Sequence, residues 1–260
     1  MTPATSRWAW ASGHLEVTNI VLALPVAEVR AMLPPSLTLA PQSLTPPGTH
    51  PVVLMFGQHS HVRPWFLPFG AGSSYHEWIV ATPLLEWRRG AMVRPCSYMS
   101  RLYLNSLVMV VGGWLYGYPK KLSSSTVTPA SYNVRTFPGG APLVTMTNAP
   151  AGPAVPFTDL PGEARLALFF EQPFYQRLGP FPWLASRMWF ALGTATAQPM
   201  TAQFSITGGC APGLEAMSAT VGSIADGIPG AFHLSCDWTL SRMFPAGDAP
   251  PGLDGPNPPQ

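Results

Sequence analysis

Proline and glycine interrupt this chain at short intervals. There are 32 prolines and 24 glycines among 260 residues. Proline has no backbone N–H to donate, so it ends helices and is confined to the edges and ends of strands. Many short apolar runs lie between these interruptions, including residues 52–57, 97–104, 200–207 and 231–240. This pattern predicts a mainly β fold with predominantly antiparallel strands, as a barrel or a sandwich.

A few segments predict helices instead. Residues 25–33 predict a short helix, because Pro25 suits a first turn and the apolar residues recur on one face. Residues 107–115 are apolar and predict a short helix or a buried turn. Residues 163–189 form the most helical and most aromatic stretch. We therefore expect a few helices around a β fold.

The C-terminal segment differs in composition from the rest. From residue 245 to residue 260 it is rich in proline, glycine and aspartate. Such a composition offers little apolar surface to bury, so it predicts a disordered tail. The remaining residues, 1–244, are expected to form a single domain.

Low charge content limits the classes of function. Charged residues make up 10% of the chain, against about 25% in typical soluble domains. Much apolar surface must therefore be covered, which favours a homo-oligomer. The net charge of +2 includes no basic cluster that would bind phosphates, so we expect no nucleic-acid partner.

Membrane association and secretion are not expected either. No apolar run reaches the roughly 20 residues of a membrane span, and the N-terminus lacks the pattern of a signal peptide. Cys96, Cys210 and Cys236 are odd in number and far apart. This spacing argues against a disulfide framework and predicts a cytoplasmic protein.

The only two lysines stand side by side. Lys120 and Lys121 follow Pro119, and the other twelve basic residues are arginine. An amine forms Schiff bases with carbonyl compounds, whereas a guanidinium keeps its proton near neutral pH. We predict that one lysine is a covalent nucleophile and that the neighbouring charge tunes it. A solvated turn is the alternative, and the pair by itself would favour it.

Two segments in sequence resemble acetoacetate decarboxylase and its superfamily. Residues 97–106 read Ser-Tyr-Met-Ser-Arg-Leu-Tyr-Leu-Asn-Ser, and residues 117–122 read Gly-Tyr-Pro-Lys-Lys-Leu. The family shows a strand ending in Tyr-Leu-Asp/Asn, a short apolar helix, and then Gly-[Phe/Tyr]-Pro-Lys-Lys. Three further stretches resemble the family in the same order, at residues 29–34, 75–77 and 233–237. The resemblance covers most of residues 15–240.

The resemblance implies a fold and a set of site residues. It implies an antiparallel, cone-like β-barrel with a few short helices, and it implies no cofactor. By position, Lys120 would carry the Schiff base, Lys121 would lie beside it, and Glu77 would face the active site as the acid or base. Residues expected to line the substrate pocket are Leu15, Leu54, Tyr98, Trp114, Tyr116 and Tyr118.

The sequence departs from the family at positions that contact substrate. Residues 112–114 read Gly-Gly-Trp where the decarboxylase has Gly-Arg-Glu. Leu15 stands roughly where the family has an active-site arginine, and residues 53–55 are apolar where a second glutamate is expected. These replacements predict a carbonyl substrate that is larger and more apolar than acetoacetate.

A Schiff base would define the intermediate but not the reaction. An iminium stabilises carbanion character on the adjacent carbon, so decarboxylation, aldol chemistry and dehydration can all follow. We expect decarboxylation of a keto acid or a related carbonyl compound. The alternatives are an aldolase or dehydratase with the same lysine, and a non-catalytic barrel that binds an apolar small molecule.

Three histidines raise the question of a metal. His59 and His61 would share one face of a strand, and His76 precedes Glu77. Structural zinc sites need four ligands, and no further cysteine or carboxylate is near in sequence. We therefore expect no metal, and solvated or hydrogen-bonded histidines. The aromatic residues between 169 and 190 are expected in the core or at a subunit interface.

Overall fold

The computed structural model describes residues 9–64, residues 72–250 and Leu253, and more than half of this part is β-structure. The strands are β1 Ala9–Pro25, β2 Leu37–Leu39, β3 Thr49–Pro64, β4 Ser73–Arg89, β5 Met92–Leu104, β6 Lys120–Thr128, β7 Ser131–Thr136, β8 Pro142–Pro150, β9 Val155–Pro156, β10 Phe174–Gln176, β11 Leu184–Ser186, β12 Met188–Phe190, β13 Thr196–Ile206, β14 Met217–Val221, β15 Gly230–Ser241 and β16 Phe244–Pro245. The α-helices are α1 Val26–Met32, α2 Leu107–Leu115 and α3 Glu163–Phe170. Short 3-10 helices span Phe157–Asp159, Leu192–Thr194, Ile224–Asp226 and Ala246–Asp248.

Nine of these strands form a closed ring, as a barrel requires. Their order is β5-β6-β7-β8-β13-β15-β1-β3-β4, and the pairing of β4 with β5 closes the ring. Within the described residues, strand neighbours are antiparallel except for the pairs β5–β6 and β5–β10. The mainly β fold with a few short helices is confirmed, but the sheet is mixed. The β5–β6 pair is parallel because α2 carries the chain back between the two strands.

Two apolar clusters occupy opposite faces of the same strands. Side chains alternate along a strand, so Leu15 and Val17 of β1 belong to one cluster, while Ile20 and Leu22 belong to the other. The second cluster draws residues from every strand of the ring, with Val127 as the contribution of β6. It therefore fills the interior of the ring. The first cluster lies on the outer face of β1, β3, β4, β5 and β15, under α3.

The expected local structure agrees with the observed elements in most segments. Helices α1 and α2 lie where they were predicted, and β4 is one strand with an irregular register around Leu84, which has φ 57°. Residues 163–189, expected to be the most helical stretch, are helical only in their first part. Helix α3 ends at Phe170, and three short strands follow. Pro173 lacks the N–H that a further helical turn would need.

Part of the C-terminal segment is ordered against the domain. Ala246, Ala249 and Leu253 are buried beside Trp87, and Arg187 Nη1 donates a hydrogen bond of 2.7 Å to the Leu253 carbonyl. The predicted disordered tail therefore does not hold for residues 245–250, because small apolar side chains in this segment pack into a third cluster. Residues 251–252 and 254–260 lie outside the described residues.

Helix α2 exposes most of its apolar side chains. Leu107, Val108, Val111, Trp114 and Leu115 are each 46% exposed or more. In the part of the chain that the structure describes, no helix is long and apolar enough to cross a membrane. The homo-oligomer stays a prediction.

Candidate functional site

A cavity of about 80 Å³ lies within the first cluster. This space is enough for several water molecules or one small organic molecule. Most of its wall is apolar. Lys120, Glu77 and His59 are the ionisable groups other than tyrosine that line it within the described residues.

Local structure places Lys120 at this cavity. It is the first residue of β6 and pairs with Leu102 of β5. The preceding turn leaves α2 through Gly117, whose φ of 72° is the left-handed conformation that glycine adopts readily at helix ends. Trp114 Nε1 donates a 2.9 Å hydrogen bond to the Lys120 carbonyl. A β-carbon added at Gly113 would overlap the Lys120 side chain, so helix and lysine pack closely.

Lys120 is paired with Glu77. Its Nζ lies 3.3 Å from Glu77 Oε1, with the two side chains 11% and 4% exposed. Glu77 comes from β4, opposite Leu104 of β5, so the closure of the ring between β4 and β5 brings acid and amine together. The Lys120 Nζ also lies 5.8 Å from the ring centre of Tyr75. The ammonium therefore has a carboxylate and an aromatic face as neighbours.

The ion pair keeps Glu77 ionised. Burial by itself raises the pKa of the Glu77 carboxyl, because desolvation disfavours its charge. The Lys120 charge and the hydrogen bond from His59 act against burial and prevail, so the pKa lies below the ordinary value of 4.5. Glu77 is therefore a carboxylate at neutral pH.

His59 completes a buried triad with Glu77 and Lys120. Its Nε2 lies 3.3 Å from Glu77 Oε2, and its ring stacks on Tyr75 with 4.7 Å between centres. The ring of Trp238 meets it edge-on at 5.5 Å. His59 is thus a cavity residue, whereas the sequence predicted a solvated or hydrogen-bonded histidine. Strand alternation was a usable signal, since Val53, Met55, Gly57 and His59 share one face of β3.

Two more of the expected pocket residues line the cavity. Leu15 of β1 does so. Tyr118 lines it as well, and its hydroxyl forms a 2.8 Å hydrogen bond with Ser186 Oγ. Burial raises the pKa of the Tyr118 hydroxyl, so it stays protonated. Tyr116 lies behind Tyr118, with parallel rings 6.2 Å apart, and does not line the cavity.

Three expected residues lie elsewhere. Lys121 is exposed on the opposite face of β6 from Lys120, because neighbouring strand residues alternate. Leu54 faces the interior of the ring for the same reason, and Met55 lines the cavity in its place. Trp114 is 46% exposed, and its indole N–H donates a hydrogen bond to the backbone carbonyl of Lys120.

A bulge in β5 moves Tyr98 away from the cavity. Val80 pairs with Arg101 and Ala81 pairs with Met99, so β5 has one extra residue between these pairs. The extra residue reverses the alternation of side chains before it. Tyr98 therefore belongs to the third cluster, with its ring 6.1 Å from that of Trp183.

Aromatic residues close the cavity on the side away from the ring. Phe169 and Phe170 of α3, Phe174 of β10 and Phe190 of β12 all line it. The sequence placed this aromatic block in the core or at an interface. In the structure it is both core and cavity wall.

A second polar cluster lies on the other face of β1 and β15. Glu16 Oε2 accepts a 2.7 Å hydrogen bond from His233 Nε2, and His14 bridges Glu16 and Asp237 at 3.0 and 2.8 Å. Burial raises the pKa of Glu16, but its hydrogen bonds prevail and hold the pKa at about 2. Residues 233 and 237, which resemble a family motif, therefore lie outside the cavity. Within the described residues, no set of three or more His, Cys, Asp or Glu side chains has an arrangement that could hold a metal ion.

Known proteins are similar to this chain in fold. No family model matches the sequence, and no curated protein matches it. The enduracididine biosynthesis enzyme MppR, solved with the condensation product of pyruvate and imidazole 4-carboxaldehyde, gives a TM-score of 0.62 at 14% identity, over 94% of this chain and 91% of that chain. Acetoacetate decarboxylase from Legionella pneumophila gives 0.59 at 15% identity, over 94% and 92%.

An acetoacetate decarboxylase-like enzyme from Sphingomonas wittichii RW1 gives a TM-score of 0.57 at 14% identity, over 94% of this chain and 95% of that chain. These similarities extend over nearly the whole length of each protein. They confirm the fold expected from the Pro-Lys-Lys segment and its flanking motifs. At such low identity they establish the fold alone.

Proposed function

We propose that this chain is a lyase that forms a Schiff base between Lys120 and a small carbonyl compound. The observation that carries the proposal is the position of the Lys120 amine, 3.3 Å from the ionised Glu77 and nearly buried in an apolar cavity. A primary amine that lines an enclosed cavity can attack the carbonyl carbon of a compound bound there. The neighbouring enzymes of the same fold support a catalytic role.

The cavity favours a small and mainly apolar substrate. Among the described residues, no arginine lines the cavity. The resemblance sets the family's arginine roughly at Leu15, which is apolar. A substrate larger than acetoacetate was expected from the lost polar groups. The volume of about 80 Å³, bounded by Phe169, Phe170 and Phe174, favours a compact substrate.

Decarboxylation follows from this arrangement in a few steps. The amine attacks the carbonyl carbon, and loss of water gives an iminium. The bond to the carboxylate of a β-keto acid then breaks, its electron pair passes to the iminium nitrogen, and carbon dioxide leaves. An apolar wall solvates a carboxylate poorly but tolerates carbon dioxide and a neutral enamine, so this step is favoured. Protonation of the enamine carbon and hydrolysis release the ketone.

Aldol condensation with the same lysine is the second candidate. It is favoured by the structures of MppR, which hold pyruvate in one case and a condensation product of pyruvate in another. In that reaction the enamine would attack an aldehyde rather than accept a proton. The third alternative, a non-catalytic barrel, would bind a carbonyl compound without covalent attachment.

Borohydride trapping tests the proposal. The chain is incubated with acetoacetate, pyruvate or acetone and then reduced, and its intact mass is measured. We expect a stable adduct in the natural sequence and none in Lys120→Arg. Release of carbon dioxide from acetoacetate would favour decarboxylation, and carbon–carbon bond formation between pyruvate and an aldehyde would favour condensation. Absence of an adduct with all three compounds would contradict the proposal.

A further inference from the structure

The buried His59 has one ring nitrogen that the ion pair does not use. Its Nε2 faces Glu77 Oε2 at 3.3 Å, whereas its Nδ1 is buried and has no hydrogen-bond partner in the described part of the chain. A buried polar atom without a partner costs roughly 1–3 kcal/mol, and such atoms often serve a function. The His59 side chain is 5% exposed and lines the cavity beside Lys120.

Glu77 is poorly suited to deliver a proton. Its Oε1 lies 3.3 Å from Lys120 Nζ as an ion pair without hydrogen-bond geometry, and its Oε2 lies 3.3 Å from His59 Nε2. The same two neighbours hold its pKa below the ordinary 4.5, so it carries no proton to give near neutrality. General acids and bases work best when they titrate near the working pH, and imidazole is the side chain that ordinarily does so.

The carboxylate also fixes the tautomer of the imidazole. Because Glu77 Oε2 can only accept, His59 Nε2 carries the proton between them. In the neutral ring, the Nδ1 atom then holds the lone pair. A carboxylate that orients one ring nitrogen while the other acts as a base is the arrangement used in serine hydrolases. Stacking on Tyr75 and the edge of Trp238 hold the ring in this orientation.

We propose that His59 Nδ1 transfers the proton at the carbon next to the iminium, and that Glu77 is its positioning residue. The C–H bond breaks, its electron pair moves into the carbon–nitrogen system to give the enamine, and the proton passes to Nδ1. Glu77 stabilises the imidazolium through Nε2–H. After decarboxylation, Nδ1 first takes a proton from solvent, and the reverse transfer then delivers that proton to the enamine carbon. This inference rests on the Schiff base proposed for Lys120.

Exchange of the substrate's α-protons with solvent measures the proton transfer proposed for His59 Nδ1, separately from formation of the adduct. Acetone and pyruvate in D₂O are followed by NMR for loss of their α-protons, and the adduct is trapped in parallel with borohydride. Lys120→Arg gives the background rate for both measurements. His59→Gln should keep adduct formation within about threefold and lower the exchange rate by about 100-fold, which is at the low end of what a general base contributes. His61→Gln, an exposed site on the same strand, is the matched control and should change neither.

Glu77 could position His59 or transfer the proton itself. These two roles predict different rankings of the exchange rates of the His59→Gln and Glu77→Gln variants. If His59 transfers the proton, His59→Gln lowers exchange more than Glu77→Gln does. If Glu77 transfers it, Glu77→Gln abolishes exchange while His59→Gln retains it, and the inference is overturned. Equal loss of adduct and exchange in His59→Gln would also overturn it, as a sign of a purely structural role. His59→Asn replaces His59→Gln if circular dichroism shows that the first variant is unfolded. Absence of an adduct in the natural sequence would instead refute the Schiff base itself.

Discussion

Substitution of Gly113 by alanine should disable the lysine without disturbing the fold. Gly113 is buried in α2, and a β-carbon there would overlap Lys120 Cδ and lie 2.5 Å from Lys120 Cε. Ordinary contact begins at 3.4 Å, so Cε must retreat by about 1 Å. A shift of this size in a reacting group costs on the order of 100-fold in rate. We expect the rate of borohydride-trapped adduct formation to fall by about that factor.

The neighbouring glycine provides a matched control. Gly112 lies one residue earlier in α2, and a β-carbon there would meet nothing within 4 Å. Both substitutions gain roughly 1 kcal/mol of helix propensity. In Gly113→Ala, overpacking against the lysine costs roughly 1–3 kcal/mol and offsets this gain. Gly112→Ala should therefore be at least as stable as the natural chain in urea, with an unchanged trapping rate.

Two results would refute this reasoning. The first is a Gly113→Ala variant that forms the adduct at the natural rate, which would show that the lysine does not react from the position seen in the cavity. The second is an equal loss of rate in Gly112→Ala. In that case the effect would come from the stiffness of the helix and not from contact with Lys120.

Three further predictions concern the charged groups. Lys121→Ala should leave the trapping rate within about threefold, because this side chain is exposed on the other face of β6; a tenfold loss would show that its charge acts on the site. Glu77→Gln leaves the Lys120 ammonium without its buried partner and should lower the free energy of unfolding in urea by about 3 kcal/mol, so unchanged stability would contradict the ion pair. Glu16 has a pKa lowered to about 2, so its contribution to stability is complete above about 4.5 and is lost as the pH falls towards 2. Thermal unfolding of Glu16→Gln should depend less on pH in that range, and an equally steep dependence would contradict the hydrogen bonds from His14 and His233.

Much of the fold, and the position of Lys120 beside Glu77, could be predicted from the sequence. The frequent prolines and glycines indicated short strands, and the ordered motifs placed Lys120, Glu77 and Leu15 on strands that the ring brings together. This succeeded because the spacing of motifs along the chain reflects the pairing of β4, β5 and β6. Lys121 shows the limit of that reasoning. Adjacency in sequence was taken as adjacency in space, whereas neighbours on a strand face opposite sides.

The faces of buried strands were harder to predict. In β3, Leu54 and Met55 are both apolar because both faces of the strand are buried, so no alternation of polar residues reveals which one meets the cavity. The bulge that moves Tyr98 to another cluster depends on the pairing of β4 with β5 and has no local signature. Phe169 and Phe190 line the cavity because α3 and β12 pack against strands that are distant in sequence, and no local pattern indicates such packing.

Mapping the reduced adduct to a single residue tests the central claim most directly. After incubation with acetoacetate and borohydride, the chain is digested and the modified peptide is sequenced by mass spectrometry. Lys120, Lys121 and the N-terminal amine are the candidate sites, so the assignment is unambiguous. The account predicts modification at Lys120, and its persistence at that residue in Lys121→Arg. Modification at Lys121 or at the N-terminus with Lys120 unmodified would contradict it.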